Sequence, residues 1–160
     1  MIVVVIGVSG SGKSTIGGLL ARAMECEFLE GDTLHSPESI DKMSRGIPLN
    51  DDDREPWLRA IHARIVDASR RRVSIVVACS ALKQKYRDTL EEGVAVRWVY
   101  LKGSKALLHS RLQQRSSHFM KAGMLDSQLE ALEEPSNALV VDGPAGPDVI
   151  VGRILRQLLA

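Results

Sequence analysis

The sequence predicts an α/β fold in which a five-stranded parallel sheet carries helices on both faces. Continuous apolar runs rich in β-branched residues alternate along the chain with segments of helical periodicity. Such a run is typical of a strand buried on both faces, and a helix between consecutive strands is the usual crossover in a parallel sheet. With 160 residues the chain is long enough for one core, so we expect a single domain over residues 1–160.

The strands are predicted from the apolar runs themselves. Glu27–Leu29 is a short candidate, and the remaining four are longer and more apolar. These four are Ile2–Ile6, Val73–Ala78, Val96–Leu101 and Ala138–Val141.

The helices are predicted from capping residues and apolar spacing. Ser36, followed by a proline and an acid, is typical of a helix start. Three other predicted helices are Lys13–Met24, Lys83–Glu91 and Lys105–Arg115, the last capped by Ser104. Two more begin after a capping region at Asp51–Asp53 and at Pro147. Residues 116–125 show no clear periodicity, and such a stretch in a compact domain predicts a mobile functional lid.

Composition excludes several classes of protein. Lys plus Arg is 21 and Asp plus Glu is 20, and this balance argues against a dedicated nucleic-acid binder. The two cysteines form neither a disulfide framework nor a metal-ligand pattern. No apolar run approaches the roughly 20 residues of a membrane-spanning helix. We therefore expect a cytoplasmic protein with no nucleic-acid or membrane partner.

A phosphate-binding loop is the strongest functional signal. Residues 7–14 match G-x-x-x-x-G-K-[ST] at every fixed position, after a predicted strand and before a predicted helix. In such a loop, backbone N–H groups surround the phosphates, the lysine reaches the β- and γ-phosphates, and the hydroxyl of Ser14 binds Mg²⁺. The predicted ATP-binding residues are Gly7, Val8, Ser9, Gly10, Ser11, Gly12, Lys13, Ser14 and Thr15.

Asp32 is the candidate catalytic acid. It follows Gly31 directly after the second predicted strand, so we place it at the carboxyl edge of the sheet, where open α/β folds bind ligands. A carboxylate there can hold a Mg²⁺-bound water or accept a proton from an acceptor hydroxyl. The alternative is that Asp32 only caps the next helix, but several residues separate it from that helix.

Basic residues form two further candidates. Arg111 and Arg115 share a helix face and lead into residues 116–125, so they belong either to a solvated surface or to a lid that neutralises the transferred phosphoryl group. Arg54 follows three acids, and a guanidinium suits a carboxylate ligand. The cluster Lys83, Lys85, Tyr86 and Arg87 is a further candidate lining of an acceptor pocket, although Lys85 fits a solvated helix face equally well.

The chain resembles the small gluconokinases of the P-loop kinase class over almost its whole length. The resemblance rests on the phosphate loop, on Gly31–His35, on Lys42-Met43 with Gly46–Leu49, on Asp51–Arg54 with Pro56–Leu58, on Cys79–Lys83 with Tyr86-Arg87, on Tyr100–Gly103, on His118–Met120, and on Ser127-Gln128 with Leu132-Glu133 and Pro135. Two positions depart from the family pattern, Ser117 in place of glycine and Ser39 in place of asparagine.

The resemblance implies a shikimate-kinase-like fold and ATP-dependent phosphorylation of D-gluconate on its 6-hydroxyl. It also implies Mg²⁺, held by Ser14 and through water by Asp32, and often a homodimer. The implied catalytic residues are Lys13, Asp32, Arg111 and Arg115. The implied substrate-binding residues are Asp32, His35, Arg54, Lys83, His118 and Gln128.

Two alternatives remain at this stage. One is another small-molecule kinase such as shikimate kinase, although that family expects Asp-x-Asp after the second strand and three glycines after the third. Here those places read Gly31-Asp32-Thr33 and Cys79-Ser80-Ala81. The other is a nucleotide-binding module without transfer activity, against which the intact Lys13, Ser14 and Asp32 argue.

Overall fold

The fold is a parallel five-stranded sheet with helices packed against both faces. The computed structural model describes residues 1–103, 108, 123–142 and 145–160. The strands are β1 (Ile2–Ile6), β2 (Glu27–Glu30), β3 (Ile75–Ala78), β4 (Val96–Leu101) and β5 (Leu139–Val141). The helices are α1 (Lys13–Ala23), α2 (Pro37–Ser44), α3 (Asp51–Arg70), α4 (Gln84–Leu90), α5 (Gly123–Ala131) and α6 (Pro147–Leu158).

β1 lies at the centre of the sheet. The strand order is β2-β3-β1-β4-β5, and every neighbouring pair is parallel. All five residues of β1 are buried, because strands flank it on both sides and helices cover both faces. This placement explains the unbroken apolar run at the start of the sequence, and it brings the loop after β1 to the middle of the carboxyl edge.

Two apolar cores lie on opposite faces of the sheet. Val3 and Val5 pack in one core with residues of α1 and α6, whereas Ile2, Val4 and Ile6 pack in the other with residues of α3 and α4. The alternation follows from the two-residue period of a strand. Each fully buried side chain of this size contributes about 1.5–3 kcal/mol, so the two cores fix the sheet that carries the site.

The start of α3 differs from the prediction in its capping residue. Asn50, rather than the predicted region Asp51–Asp53, is the N-cap: its side chain accepts from the N–H of Asp53 at 2.8 Å, and Asp53 accepts from the N–H of Asn50 at 3.0 Å. The three acids instead form the first turn, where the positive end of the helix dipole favours them. The Ser36 cap of α2 is confirmed, because its hydroxyl accepts from the N–H of Ser39 at 3.1 Å.

Several element boundaries also shift by one or two residues. β3 begins at Ile75 rather than Val73, after Arg72 adopts a left-handed conformation with φ of 56°. The fourth helix covers Gln84–Leu90, within the predicted range. β2 continues to Glu30, one residue beyond the predicted strand, and that residue becomes important in the site.

The predicted helix Lys105–Arg115 and most of the predicted lid lie outside the described residues, apart from buried Leu108. The last three residues predicted for the lid, 123–125, form the first turn of α5. In the described ranges, no helix has the length and apolar character that a bilayer crossing requires.

Candidate active site

A cavity of about 140 Å³ opens beside the phosphate loop. Residues from several separate segments line it: Ser9, Lys13, Asp32, His35, Met43, Pro48, Leu49, Arg54, Trp57, Ser80, Leu82, Lys83, Ser127, Gln128 and Ala131. Most of the acceptor-site residues predicted from the sequence therefore line the same cavity. Among the exceptions, His118 lies in the undescribed part of the chain, and Lys85, Tyr86 and Arg87 are described but do not line the cavity.

The phosphate loop is shaped by its glycines. Gly10 and Gly12 have φ of 85° and 93°, a left-handed conformation that residues with a β-carbon rarely adopt. Gly12 is the N-cap of α1 and makes no side-chain cap, and the first turn of α1 contains no acid. The positive end of α1 therefore remains available to phosphate oxygens. Lys13 folds back over the loop, with Nζ 3.3 Å from the carbonyl oxygen of Val8.

Glu30 is a site residue that the sequence interpretation missed. The hydroxyl of Ser14 donates to Oε2 of Glu30, and the backbone N–H of Asp32 lies 3.4 Å from Oε1. A hydroxyl and a carboxylate at this position form a hard-oxygen set that suits Mg²⁺. The only sequence signal was that Glu30 directly follows the predicted strand Glu27–Leu29. The structure extends β2 by that one residue, which puts Glu30 at the same sheet edge as the phosphate loop.

The position of Asp32 depends on the close packing of its neighbour Gly31, just after β2, against the end of β3. A β-carbon at Gly31 would lie 2.5 Å from the carbonyl oxygen of Ala78, so only glycine fits at this position. The indole N–H of Trp57 donates to the carbonyl of Gly31 at 2.8 Å and fixes the 3₁₀ turn over residues 31–34. The turn directs Asp32 to the cavity that Lys13 also lines.

His35 is a buried, uncharged imidazole at neutral pH. Its ring stacks on Trp57 with centroids 4.1 Å apart, and the residue is 7% exposed. Burial lowers the pKa of His35 from 6.5 to about 4; the Asp32 carboxylate opposes this shift and Arg54 adds to it. The residue lines the cavity, and its buried Nδ1 has no hydrogen-bond partner within the described ranges.

Arg54 and Lys83 bring positive charge to the cavity. Nη1 of Arg54 donates to the carbonyl of Leu49 at 2.6 Å and to the hydroxyl of Tyr86 at 3.3 Å. Over the residues that the structure describes, neither Arg54 nor Lys83 forms an ion pair with a carboxylate. An anionic group of a ligand is thus the partner that these two cations lack.

Gln128 connects α5 to the phosphate loop. Its Oε1 accepts from the backbone N–H of Ser9 at 2.8 Å, and its Nε2 donates to the hydroxyl of Ser9 at 3.1 Å. The side chain is buried and lines the cavity. The sequence interpretation placed Gln128 in the substrate site. The structure shows in addition that Gln128 binds Ser9, the third residue of the phosphate loop.

Comparison with known proteins agrees with this architecture. A family model described as an AAA domain matches residues 2–135. The thermoresistant gluconokinase of Escherichia coli (strain K12) is 45% identical over 146 residues, which cover 88% of this chain and 83% of that protein. The chain belongs to the gluconokinase family. Membership makes it an ATP-using P-loop kinase with a small-molecule substrate, as the resemblance implied.

Two solved structures extend the family likeness to three dimensions. An unliganded sugar kinase from Janibacter sp. HTCC2649 has a TM-score of 0.92 and 44% identity, covering 98% of this chain and 93% of that one. A gluconokinase from Sinorhizobium meliloti 1021 has a TM-score of 0.83 and 43% identity, with coverage of 98% and 94%. The predicted α/β P-loop kinase fold with a five-stranded parallel sheet is thereby confirmed.

Some residues predicted for this gluconokinase-family site have other positions. Arg87, a candidate for the pocket lining, is 1% exposed and turns inward, donating to the carbonyls of Ala81 at 2.7 Å and Glu133 at 2.6 Å. Lys85 pairs with Asp51 and is half exposed, which matches the solvated alternative. Arg111, Arg115 and His118 lie outside the described residues, so their roles remain predictions.

Proposed function

We propose that the chain transfers the γ-phosphoryl group of ATP to the 6-hydroxyl of D-gluconate, giving 6-phospho-D-gluconate and ADP. The observation that carries the proposal is that one cavity is lined by the phosphate-loop lysine, by an acid and by two cations that form no ion pair with a carboxylate among the described residues. Gluconate matches this set, because it carries a primary hydroxyl at one end and a carboxylate at the other.

Each group has a defined task in the transfer. A bond forms between the 6-oxygen and the γ-phosphorus while the bond to the β–γ bridging oxygen breaks, and ADP leaves with that electron pair. Asp32 orients the hydroxyl and accepts its proton. Lys13 and the N-terminus of α1 stabilise the negative charge on the phosphates. Arg111 and Arg115 are proposed to neutralise the transferred group.

Mg²⁺ fits the oxygen ligands beside the loop. Ser14 and Glu30 would hold it, with Asp32 acting through a water molecule. When bound, the ion neutralises charge on the β- and γ-phosphates. Glu30 thus joins the ligand set predicted from the sequence.

The acceptor would be held by groups of two kinds. Arg54 and Lys83 meet the carboxylate. His118 is the alternative to Lys83 at the carboxylate, and His35 and Gln128 contact the polyol hydroxyls. Closure of a lid formed by residues 116–122, the part of the predicted lid that precedes α5, would exclude water from the phosphoryl group. We further propose a cytoplasmic location and a homodimer, with neither a nucleic acid nor a membrane as partner.

An acceptor panel with a matched pair of variants tests the proposal. ADP release is measured with gluconate, with shikimate, and with glucitol, the polyol of equal chain length that lacks the carboxylate. Gluconate should be the best acceptor. Arg54→Ala should raise the KM for gluconate much more than the KM for ATP, because it removes a partner of the carboxylate.

Arg59→Ala is the control, since Arg59 is an exposed arginine of the same helix whose ion pairs are with Glu55 and Glu92. Both KM values should stay unchanged in this variant. Preference for shikimate or glucitol would contradict the proposed function. Equal KM changes for both substrates in Arg54→Ala would move Arg54 from the substrate site to a structural role.

A further inference from the structure

Arg54 and Lys83, the two cations that line the acceptor cavity, both contact the ring of Tyr86. The guanidinium of Arg54 lies 5.4 Å from the centre of that ring, and Nζ of Lys83 lies 5.9 Å from it. Both distances are within the range in which a cation is attracted to an aromatic ring. Tyr86 itself does not line the cavity and is 4% exposed.

The hydroxyl of Tyr86 forms two hydrogen bonds, which orient Arg54 in addition to the contact with the ring. It accepts from Nη1 of Arg54 at 3.3 Å and donates to Oδ1 of Asp51. Asp51 in turn pairs with Lys85, whose Nζ lies 5.8 Å from the centre of the same ring. The hydroxyl therefore connects a cavity cation to an anchored carboxylate at the protein surface.

Ionisation keeps this arrangement intact at neutral pH. Hydrogen bonds from Lys85 and Tyr86 lower the pKa of Asp51 to about 2, so Asp51 stays charged. Burial, followed by the hydrogen bond to Asp51, raises the pKa of Tyr86, so the phenol keeps its proton. The donor and acceptor roles in the chain from Asp51 to Arg54 are thus fixed.

We propose that Tyr86 is a positioning residue for the acceptor site: its ring and hydroxyl hold Arg54 and Lys83 toward the cavity, and Asp51 holds Tyr86. Within the described ranges, Arg54 makes one other hydrogen bond, to the carbonyl of Leu49, and Lys83 makes no ion pair. Without the ring, both long side chains regain rotamer freedom, and binding of an anionic acceptor must then order them. The inference rests on the proposed function, because it assumes an anionic acceptor.

Two pairs of variants test it. Tyr86→Phe removes the hydroxyl and keeps the ring, and Tyr100→Phe is its control, because Tyr100 is equally buried, has its hydroxyl 3.3 Å from Glu134, and does not line the cavity. Asp51→Ala removes the anchor, and Asp52→Ala removes an exposed acid from the same helical turn, so both change the helix terminus alike.

The readouts are the KM for gluconate, the KM for ATP, kcat and the melting temperature. Tyr86→Phe and Asp51→Ala should each raise the gluconate KM about threefold. A further variant, Tyr86→Leu, removes the ring as well as the hydroxyl, and it should raise the gluconate KM roughly tenfold, which is the scale of a cation–π contact. The KM for ATP and kcat should change less than twofold in all of them. The Tyr100→Phe and Asp52→Ala controls should leave the gluconate KM unchanged.

Two outcomes would overturn the inference while leaving the proposed function standing. One is an unchanged gluconate KM in Tyr86→Phe, Tyr86→Leu and Asp51→Ala. The other is an equal rise of both KM values with a lowered melting temperature, which would make Tyr86 a packing residue. If the wild-type protein forms no ADP in response to gluconate, the proposed function fails and this inference fails with it.

Discussion

Glu30 and Asp32 are separated by one glycine, and their carboxylates have different surroundings. Glu30 meets the hydroxyl of Ser14, whereas Asp32 faces the acceptor cavity. We therefore propose that the two acids have different main tasks: Glu30 holds the metal directly, whereas Asp32 acts on the acceptor hydroxyl in addition to its contact with the metal through water.

Substitution of each acid should give a different kinetic defect. Asp32→Asn keeps the shape but cannot accept a proton, so kcat should fall by about 100-fold or more while ATP binding is kept. Glu30→Gln should mainly raise the Mg²⁺ concentration needed for half-maximal activity. Rates measured across a Mg²⁺ titration separate the two. The same response in both variants, or a kcat for Asp32→Asn within about tenfold of the wild type, would refute this division.

His35 should make the stability of the protein depend on pH in a defined window. Its pKa falls from 6.5 to about 4 on folding, so the unfolded chain binds the proton first as the pH is lowered. The contribution of His35 to stability is fully present above pH 6.5 and declines as the pH falls toward 4. Asp51, with its pKa of about 2, loses its own contribution only at lower pH.

Melting temperatures between about pH 7 and about pH 4.5 check this expectation. His35→Gln should show a shallower decline than the wild type, because the substituted side chain does not titrate. A wild-type slope in His35→Gln would show that other groups set the pH dependence.

Sequence patterns predicted where the candidate site residues lie in the fold better than they predicted which residues those side chains contact. The identity of Lys13, Ser14 and Asp32 followed from a motif and from a strand end. Glu30 was missed because its role depends on the last residue of β2, and a strand end is set by pairing with β3 that local sequence does not reveal. The inward turn of Arg87 likewise depends on the carbonyl of Glu133, a partner 46 positions away along the chain.

At the scale of elements, α5 and the phosphate loop form one unit. Gln128 holds both the N–H and the hydroxyl of Ser9, and Leu125 packs in a small core with Val8 and Leu82. The position of α5 is therefore coupled to the shape of the loop. The sequence interpretation left residues 123–125 in the lid because a helix of 9 residues with glycine, aspartate and serine gives a weak periodic signal.

Loss of this contact should weaken nucleotide binding. Gln128→Leu conserves volume and leaves the N–H of Ser9 without this acceptor, which should raise the KM for ATP roughly tenfold. Glu130→Leu is the control, because Glu130 lies exposed on the same helix. Steady-state kinetics with varied ATP give the answer, and an unchanged ATP KM in Gln128→Leu would show that the loop keeps its shape without α5.

For the whole molecule, the alternation of apolar runs and helical segments was enough to predict the fold class. A central strand buried on both faces and helices covering both faces follow directly from that pattern. The strand order β2-β3-β1-β4-β5 was not predicted, because side-by-side pairing depends on contacts between strands far apart in the chain. That order brings the ends of β1, β2 and β3 together around the cavity.

The central claim is the transfer of phosphoryl from ATP to the primary hydroxyl of gluconate, and ³¹P NMR of the reaction products tests it most directly. The account predicts a phosphomonoester signal, absent without gluconate, that is split into a triplet by the two protons on carbon 6, together with an equal amount of ADP. Inorganic phosphate as the only new product, or a doublet from a phosphate on a carbon bearing one proton, would contradict it.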